Sequence, residues 1–289
     1  MTETIRCCSC GKTPHRLRFE KKGRKFYRCE ACGIETQHPM PTLAELAAYY
    51  ESSFEDGMYA DFTAADAMKR MTARQRLGEI RRSFEPAGRC LDVGCANGVF
   101  VATLEEEFGD KVQTEGVELS ERAVAEGRQR GLTLHVGTMA DVPGDEKFDV
   151  ITAFDVLEHV IDPAEFLTQL TDRLAPGGRL VITVPNTGGI VRRLMGRRWY
   201  FYIPEEHLTY FDRTNLPRFV RRFGLDVVDV GATYKPMTYD YALTQFAEFN
   251  PLIYQVLKAG SIAVPGPLRR RPIPLPIGET RLVARKLVR

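Results

Sequence analysis

The stretch CLDVGCANGVFV, residues 90–101, decides the fold of this chain. An apolar run leads through an acid, two glycines and an asparagine into a second apolar run. A buried strand that ends in glycines and opens a helix makes a nucleotide pocket in α/β proteins, because glycine lets the backbone approach a ligand and the first N–H groups of the helix point at it. The stretch therefore predicts a nucleotide-binding turn between a strand and a helix.

Residues 89–184 continue this pattern, because β-rich runs alternate there with helical stretches. The predicted strands are RCLDV, VQTEGVEL, LTLHV, FDVITAF and RLVITV. Ser120 and Asp162 occupy N-cap positions of the intervening helices, and the PGG at residues 176–178 is expected to end the last of them. Such alternation is typical of a parallel sheet covered by helices, so the predicted fold is an α/β, doubly wound core.

The composition gives evidence on where the protein is located but little evidence on what it binds. A formal charge of +2 over 289 residues is too small to indicate a polyanionic partner. No run approaches the ~18–20 apolar residues of a membrane span, and the polar start MTETIRCCSC differs from a secretory signal peptide. We therefore expect a cytoplasmic protein without a transmembrane span.

Four cysteines form two C-x-x-C pairs, Cys7 with Cys10 and Cys29 with Cys32. The gap between the pairs lies in the ~15–20 residue range of four-cysteine zinc sites, where four thiolates close a tetrahedron around the metal. Four protein ligands leave no open position for water, so the predicted zinc is structural. Reduced thiols or a redox pair are the alternative, and Cys8 replaces Cys7 as a ligand if the first knuckle is shifted by one residue.

These patterns divide the chain into three parts. The cysteine pairs and the hairpin-like segment between them predict a zinc ribbon over residues 1–40. The stretch HPMPTLAELAAYY then marks a boundary, and residues 41–85 are predicted to form a helical linker that caps the sheet or the mouth of the pocket. Residues 86–289 are the main domain, with insertions at about 186–210 and 232–278.

The glycine turn does not match the dinucleotide fingerprint G-x-G-x-x-G, because its small residues are Gly94, Ala96 and Gly98. DVGCANG instead resembles the first motif of class I S-adenosylmethionine-dependent methyltransferases, D/E-x-G-x-G-x-G, with Ala96 in place of the middle glycine. VELS, GTMADVP, FDVITAFDVLEHVIDP and LAPGGRLVITVPN resemble further motifs of this family, in the family's order. With the cysteine header and the closing IGETRLVARKLV, the chain resembles bacterial zinc-ribbon methyltransferases of sugar, lipid or secondary-metabolite biosynthesis.

The resemblance implies a seven-stranded, mostly parallel Rossmann-like sheet that binds S-adenosylmethionine. Glu118 would accept the ribose hydroxyls, Asp141 would face the exocyclic amine of adenine, and Asp155 would lie near the methionine part. Solvated loop acids are the alternative for Glu118 and Asp141. The cofactor-binding residues that the motifs imply are Asp92, Gly94, Cys95, Ala96, Asn97, Gly98, Glu118, Leu119, Asp141, Val142, Phe154 and Asp155.

Acceptor-side residues are expected in loops at the carboxyl ends of the strands. Glu206 and His207 resemble the Glu-His pair of sugar C-methyltransferases with a similar zinc header, in which a tyrosine two residues before the glutamate takes part. Here Pro204 has that place and Tyr202 lies two residues further back, so we expect proton removal from a hydroxyl, with the neighbouring carboxylate orienting the histidine ring. The catalytic candidates are His207, Glu206, Tyr202 and His159. Alternatively, His207 pins its segment by a hydrogen bond, and His159 orients its own loop.

The insertion at 186–210 holds the only tryptophan, Trp199, which lines an acceptor pocket or belongs to the core of the insertion. The arginines at 192–198 and the basic arm at 267–272 suit a phosphate, an anionic lipid head group or solvent. We expect a small-molecule acceptor, sugar-linked or lipid-linked, and leave contact with a membrane surface open. An RNA methyltransferase and a non-catalytic cofactor-binding protein are the alternatives, although the near-neutral charge and the missing D/N-P-P-Y motif disfavour nucleic acid. The acceptor, the methylated atom and the oligomeric state do not follow from the sequence.

Overall fold

The computed structural model describes residues 5–42, 45–46, 62–240, 243, 251–261, 264–269, 271–275 and 278–288, so residues 47–61 of the predicted linker lie outside the described residues. The strands are β1 (His15–Lys21), β2 (Arg24–Cys29), β3 (Glu35–His38), β4 (Gly88–Val93), β5 (Val112–Glu118), β6 (Leu134–Val136), β7 (Phe148–Phe154), β8 (Leu174–Pro185), β9 (Thr209–Tyr210), β10 (Leu225–Ala232), β11 (Lys235–Met237), β12 (Ile273–Leu275) and β13 (Glu279–Lys286). The α-helices are α1 (Phe62–Ile80), α2 (Val99–Phe108), α3 (Glu121–Gln129), α4 (Pro163–Arg173), α5 (Ile190–Met195), α6 (Asn215–Val220), α7 (Pro251–Gly260) and α8 (Gly266–Arg269). Within these ranges, no helix is long and apolar enough to cross a lipid bilayer.

The main sheet has seven strands in the order β10-β13-β8-β7-β4-β5-β6. Strands β4 to β8 pair in parallel, whereas β13 pairs antiparallel with both β8 and β10. The strand predicted from FDVITAF is β7 with the same bounds, and the other four predicted strands also lie in this sheet. The expected α/β, doubly wound, mostly parallel sheet of seven strands is confirmed.

Two apolar layers cover the sheet, because successive side chains of a strand point to opposite faces. On β4, Leu91 belongs to the core that contains Leu167 of α4. Its neighbour Cys90 belongs to the core that contains Leu77 of α1. A shift of one residue would exchange the two sets of side chains, so burial on both faces fixes the register of the strand.

Two helices begin where the sequence predicts, and one helix ends earlier than predicted. Ser120 and Asp162 cap the starts of α3 and α4 by accepting hydrogen bonds from backbone N–H groups, as predicted. The prediction that the PGG at residues 176–178 ends the last helix is wrong, because α4 ends at Arg173 and β8 begins at Leu174. Leu174 is already extended, with φ −74° and ψ 138°, so the glycines lie inside the first part of the strand.

The N-terminal module, residues 5–40, is a small antiparallel sheet whose fourth strand comes from far along the chain. Its order is β1-β2-β3-β9, and β9 belongs to the His207 segment, which we define as residues 199–212. An aromatic cluster joins the module to this segment through four fully buried side chains: Phe26, Trp199, Tyr202 and Tyr210. Trp199 therefore belongs to the core of the insertion, which is one of its two predicted roles.

Asp92 is a buried acid on β4, the central strand of the parallel part of the sheet. The side-chain hydroxyl of Thr152, on β7, donates a hydrogen bond to Asp92 Oδ1 at 2.5 Å. Burial raises the pKa of Asp92 to about 7, and this hydrogen bond and Arg76 offset the effect only in part.

We expect Asp92 to lower the free energy of unfolding as the pH rises from about 4 to about 7. Over this range the unfolded chain releases the proton of Asp92 while the folded protein retains it, so deprotonation favours the unfolded state. The pKa of Asp92 is about 7 in the folded protein and is taken as 3.8 in the unfolded chain. This difference lowers the free energy of unfolding by roughly 4 kcal/mol. Asp92→Asn should remove this loss, so the free energy of unfolding of the variant, relative to that of the unchanged protein, should rise between about pH 4 and about pH 7 in urea unfolding without cofactor.

Asp145→Asn is the matched control, because Asp145 is an exposed acid in the loop before β7. Removing this exposed carboxylate should change the free energy of unfolding by less than about 0.5 kcal/mol. A stability difference for Asp92→Asn that is independent of pH would contradict the prediction.

Candidate active site

The turn after β4 requires small residues and is built around left-handed backbone. Gly94 and Gly98 have φ values of 71° and 77°, and a Cβ at Gly94 would lie only 2.5 Å from Val156 Cγ2. Ala96, at the middle position of the motif, also has a positive φ of 48°. The Ala96 N–H donates to Glu118 Oε2 at 3.0 Å, a contact that helps to hold this strained conformation.

Glu118 lies at the end of β5, beside this turn. Its Oε2 accepts a hydrogen bond from Ala96 N, and its Oε1 accepts one from Ser120 N at 3.1 Å. The next side chain, Leu119, is 62% exposed. The structure thus brings a carboxylate and an exposed apolar side chain to the edge of the glycine turn, where the sequence predicts the ribose.

Asp141 lies in a short 3-10 turn after β6 and forms a capping box with Thr138, the N-cap of that turn. Its Oδ2 accepts hydrogen bonds from Thr138 N at 2.8 Å and from Thr138 Oγ1 at 3.0 Å, and these bonds lower the pKa of the carboxyl. Val142 is buried next to it, and Cys95 is buried within the glycine turn. A contact between Asp141 and adenine stays a prediction.

The loop after β7 begins in a cluster of four charged side chains, of which the sequence predicted one. Asp155 Oδ2 lies 2.5 Å from Arg76 Nη2 and 3.1 Å from Lys235 Nζ. Lys235 Nζ lies 2.6 Å from Glu279 Oε1. Burial opposes the ionisation of Asp155, but Lys235 and Arg76 outweigh it and hold the pKa of the carboxyl well below its usual range. Burial, with Asp155 adding to it, raises the pKa of Glu279.

Arg76, Lys235 and Glu279 are functional candidates that sequence reasoning missed. Arg76 and Lys235 are 79 and 80 residues away from Asp155 along the chain. Arg76 also lies over the ring of Phe154, with its guanidinium carbon 4.4 Å from the ring centroid. No local motif marks these residues, because Arg76 is one of several charged residues on a helix, Lys235 lies near the start of an insertion and Glu279 follows the end of it.

Glu158, His159 and His207 form a compact group next to this cluster, in which Glu158 and His207 are buried and His159 is half-buried. One side-chain nitrogen or oxygen atom of each lies within 4.8 Å of the others, and the two histidine rings meet edge to face with centroids 4.6 Å apart. Burial lowers the pKa of His207 to about 4 and holds the pKa of His159 well below its usual value. Burial, with Asp155 adding to it, raises the pKa of Glu158 well above its usual value. Both imidazoles are therefore uncharged at neutral pH.

The hydrogen bond at His207 Nδ1 fixes which ring nitrogen carries the proton. Nδ1 lies 2.8 Å from the carbonyl oxygen of Phe201. A carbonyl only accepts hydrogen bonds, so Nδ1 must donate, and the lone pair that is able to take a proton lies on Nε2. The sequence suggested that the carboxylate of Glu206 orients the ring. At Nδ1 the orienting partner is instead the backbone carbonyl of Phe201.

Tyr202 belongs to a different group of side chains. Its hydroxyl donates to Glu35 Oε2 at 2.7 Å and accepts a hydrogen bond from Arg192 Nε at 3.0 Å. Burial, with Glu35 adding to it, raises the pKa of the hydroxyl. The structure therefore brings His159 and His207 together and places the Tyr202 hydroxyl at the contact with the N-terminal module.

The sulfur atoms of four cysteines in the N-terminal module lie within 4.8 Å of one another: those of Cys7, Cys10, Cys29 and Cys32. The Cys7 and Cys32 sulfurs are 3.4 Å apart, and the Cys10 and Cys29 sulfurs are 3.5 Å apart. Tetrahedral zinc with Zn–S bonds of ~2.3 Å separates its sulfur ligands by about 3.8 Å. The group contains Cys7 and not Cys8. Its size and its thiol chemistry fit a four-cysteine zinc site.

Comparisons with known proteins agree with this geometry. A family model described as a methyltransferase domain matches residues 64–230, more than half of the chain. The ubiquinone biosynthesis O-methyltransferase of Methylococcus capsulatus is 30% identical over 195 residues, which are 61% of this chain and 80% of that protein. The corresponding enzyme of Aromatoleum aromaticum is 25% identical over 62% of this chain and 82% of its own length.

Solved structures show the same fold at low sequence identity. A methyltransferase of Haloferax volcanii, in complex with the Trm112 methyltransferase activator, has a TM-score of 0.56 and 18% identity over 78% of this chain and 95% of its own. The 1,6-didemethyltoxoflavin-N1-methyltransferase of Burkholderia thailandensis, with bound 1,6-didemethyltoxoflavin and S-adenosylhomocysteine, has a TM-score of 0.53 and 18% identity over 94% of this chain and 99% of its own. The chain therefore belongs to the methyltransferase-domain family and is a class I S-adenosylmethionine-dependent methyltransferase.

Proposed function

We propose that this methyltransferase methylates a hydroxyl group of a small molecule and that His207 accepts the hydroxyl proton. The observation that carries the proposal is the buried, uncharged ring of His207, whose Nδ1–H is bound to the Phe201 carbonyl and whose lone pair is therefore on Nε2. A general base must be unprotonated before it acts and must be oriented toward the proton that it takes. His207 meets the first condition at any pH well above 4.

S-adenosylmethionine supplies an activated methyl group, so the chain mainly has to hold two reactants in line. We infer that Glu118 accepts the ribose hydroxyls beside the turn formed by Gly94 and Gly98. Arg76 and Asp155 offer opposite charges for the carboxylate and the ammonium at the amino-acid end. These assignments are supported by the position of the glycine turn, Glu118 and Asp155 at the carboxyl ends of β4, β5 and β7 in one parallel sheet, and by the contact of Arg76 with Asp155.

Buried polar atoms around the His207 segment support an acceptor that carries hydroxyl groups. Two such atoms outside the aromatic cluster have no hydrogen-bond partner among the residues that the structure describes: Glu158 Oε2 and Glu279 Oε2. An unpaired buried polar atom costs about 1–3 kcal/mol, and hydroxyl groups of a ligand would pair with donors and acceptors alike. The similar ubiquinone biosynthesis enzymes are named O-methyltransferases, which supports oxygen as the methylated atom. A sugar, a glycolipid or a hydroxylated secondary metabolite has this chemistry.

We also infer that Cys7, Cys10, Cys29 and Cys32 bind a structural zinc ion. The proposal is supported by the distances among their sulfur atoms and by the burial of Cys7 and Cys29. Four thiolate ligands complete the coordination of zinc, so the ion would stabilise the module and would not touch the acceptor.

Glu118→Ala should weaken the binding of S-adenosylmethionine by about 30–150-fold, because a carboxylate that accepts two hydroxyl protons contributes on the order of 2–3 kcal/mol. Isothermal titration calorimetry measures this change. Glu121→Ala is the matched control, because Glu121 is an exposed acid three residues further on and its loss should leave the affinity unchanged. Equal affinities of the Glu118 variant and the unchanged protein would exclude Glu118 from the ribose site.

His207→Ala should lower turnover by about 10²–10⁴-fold with an acceptor found by screening hydroxylated small molecules, as expected for the loss of a general base. The affinity for S-adenosylmethionine should not change. In the unchanged enzyme, kcat/KM should show no titration of the base above about pH 5.5, because the pKa of His207 is about 4 and the ring is already unprotonated there.

His135→Ala is the control for this variant, because His135 lies on β6 at the far edge of the sheet. It should keep the turnover of the unchanged enzyme. A loss of less than about tenfold in the His207 variant would be too small for a general base, and attention would then move to His159.

Cys29→Ser should reduce the zinc content from about one equivalent to less than about half and should lower the melting temperature, because metal binding and folding of such a site are coupled. Metal analysis and a thermal melt measure the two effects. Cys8→Ser is the matched control, since Cys8 lies in the same knuckle but outside the group of four sulfurs. Full zinc retention by the Cys29 variant, or loss of zinc from the Cys8 variant, would show that the ligand set is wrong.

A further inference from the structure

Strand β3 of the N-terminal module holds the backbone on both sides of His207. The Gln37 N–H donates to the Leu208 carbonyl at 3.1 Å, and Gln37 Nε2 donates to the Pro204 carbonyl at 2.8 Å. The hydroxyl of Thr36 also donates to the Leu208 carbonyl, at 3.3 Å. His207 lies between these two anchored carbonyls in the chain, so β3 limits how far its backbone is able to move.

A buried carboxylate on the same strand adds charged contacts. Glu35 is fully buried, and its Oε2 accepts the hydrogen bond of the Tyr202 hydroxyl at 2.7 Å. Arg28 and Arg192 lie 3.2 Å and 3.3 Å from Glu35 Oε1. Arg28 belongs to the module and Arg192 to the insertion, so one carboxylate joins the two. Separation would leave a buried charge without its partners, which is strongly unfavourable.

The opposite side of the His207 segment rests on the loop after β7. The N–H groups of Leu208 and Thr209 both donate to the Glu158 carbonyl, at 2.7 Å and 3.2 Å. The His207 N–H donates to the Ile203 carbonyl at 2.8 Å and closes a turn. Strand β9 has only two residues, and so short a strand needs a paired neighbour to persist. The module supplies that neighbour through β3.

We propose that the N-terminal module positions His207 for proton transfer, with Glu35 and Gln37 as positioning residues. This inference rests on the proposed role of His207 as a base. By fixing the backbone of the segment, β3 keeps the His207 ring in contact with the Phe201 carbonyl and keeps Nε2 directed at the acceptor. The four-cysteine group contributes indirectly, because the Cys29 N–H donates to the carbonyl of Ile34, the residue before β3, at 2.9 Å.

Gln37→Pro tests the proposal, because proline removes both the N–H that binds the Leu208 carbonyl and the side chain that binds the Pro204 carbonyl. In ¹⁵N-labelled protein, the ring signals of His207, assigned by their absence from the His207→Ala variant, should change from the Nδ1–H form to a mixture of the two neutral forms. Turnover should fall by at least about tenfold, while zinc content stays near one equivalent and the affinity for S-adenosylmethionine stays within about twofold.

Gln37→Ala is a milder variant that keeps the backbone N–H and loses only the hydrogen bond to Pro204. It should lower turnover by roughly 2–10-fold and shift the ring signals in the same direction, and it provides the test if the proline variant does not fold. Lys25→Ala changes an exposed residue of β2 in the same module and is the matched control, which should leave turnover and ring signals unchanged.

The two measurements separate this inference from the function on which it rests. Unchanged His207 ring signals in the folded Gln37 variants would overturn the positioning role of the module. Changed ring signals with unchanged turnover would uphold the positioning role and would instead remove His207 from the role of base.

Discussion

Parallel pairing of β4 with β5 on one side and with β7 on the other is the constraint on which the active site depends. In these two ladders, Val93 lies opposite Val117 and opposite Ala153. The glycine turn, the Glu118 carboxylate and the loop that begins at Asp155 follow directly, so they reach the same edge of the sheet together. Since both faces of the sheet are buried, the register is not free to shift by one residue. The positions of the glycine turn, Glu118 and Asp155 along the strand direction are fixed with the register.

Burial and neighbouring charges divide the polar side chains of the site into charged and uncharged groups. Asp155 keeps its charge because Lys235 and Arg76 lie beside it, whereas burial and the nearby Asp155 favour the protonated form of Glu158. Burial also keeps His207 neutral, and Asp155 opposes this effect only in part. The negative charge of Asp155 is not sufficient to keep the resting ring protonated. It would nevertheless stabilise the imidazolium that forms if the ring takes a proton. A buried imidazole in this setting is unprotonated at rest and still able to accept a proton.

The features that the sequence predicted correctly have local signals. The pattern of β7 and the caps at Ser120 and Asp162 lie within a few residues of the structure that they specify. The end of α4 was misplaced because the chain becomes extended at Leu174 while its N–H still bonds to the helix, so the glycines that follow are not needed to stop it. Lys235 was missed for a different reason, since only the fold brings it next to Asp155.

The pairing of β3 with β9 is a second contact that sequence patterns cannot predict, because only the fold brings the two strands together. Thr36 and Thr209 lie opposite each other although most of the chain separates them, and a strand of two residues has no alternation to detect. The cysteine spacing predicted a compact module but contained no information about its contact with the His207 segment. Sequence reasoning therefore grouped Cys7, Cys10, Cys29 and Cys32, whose sulfur atoms the structure brings together, but treated the module as a separate part of the chain.

The contact between the module and the His207 segment combines two kinds of interaction with different consequences. The aromatic side chains of Phe26, Trp199, Tyr202 and Tyr210 bury large apolar surfaces, of ~150–250 Å² for each ring, which supplies stability without demanding one alignment. The Glu35 carboxylate with its arginine partners adds little net stability, because desolvation offsets the attraction in a buried ion pair. Its hydrogen bond to the Tyr202 hydroxyl nevertheless has a fixed direction, and Tyr202 takes part in both interactions at once. The aromatic cluster therefore holds the two parts together, and Glu35 determines the alignment in which they are held.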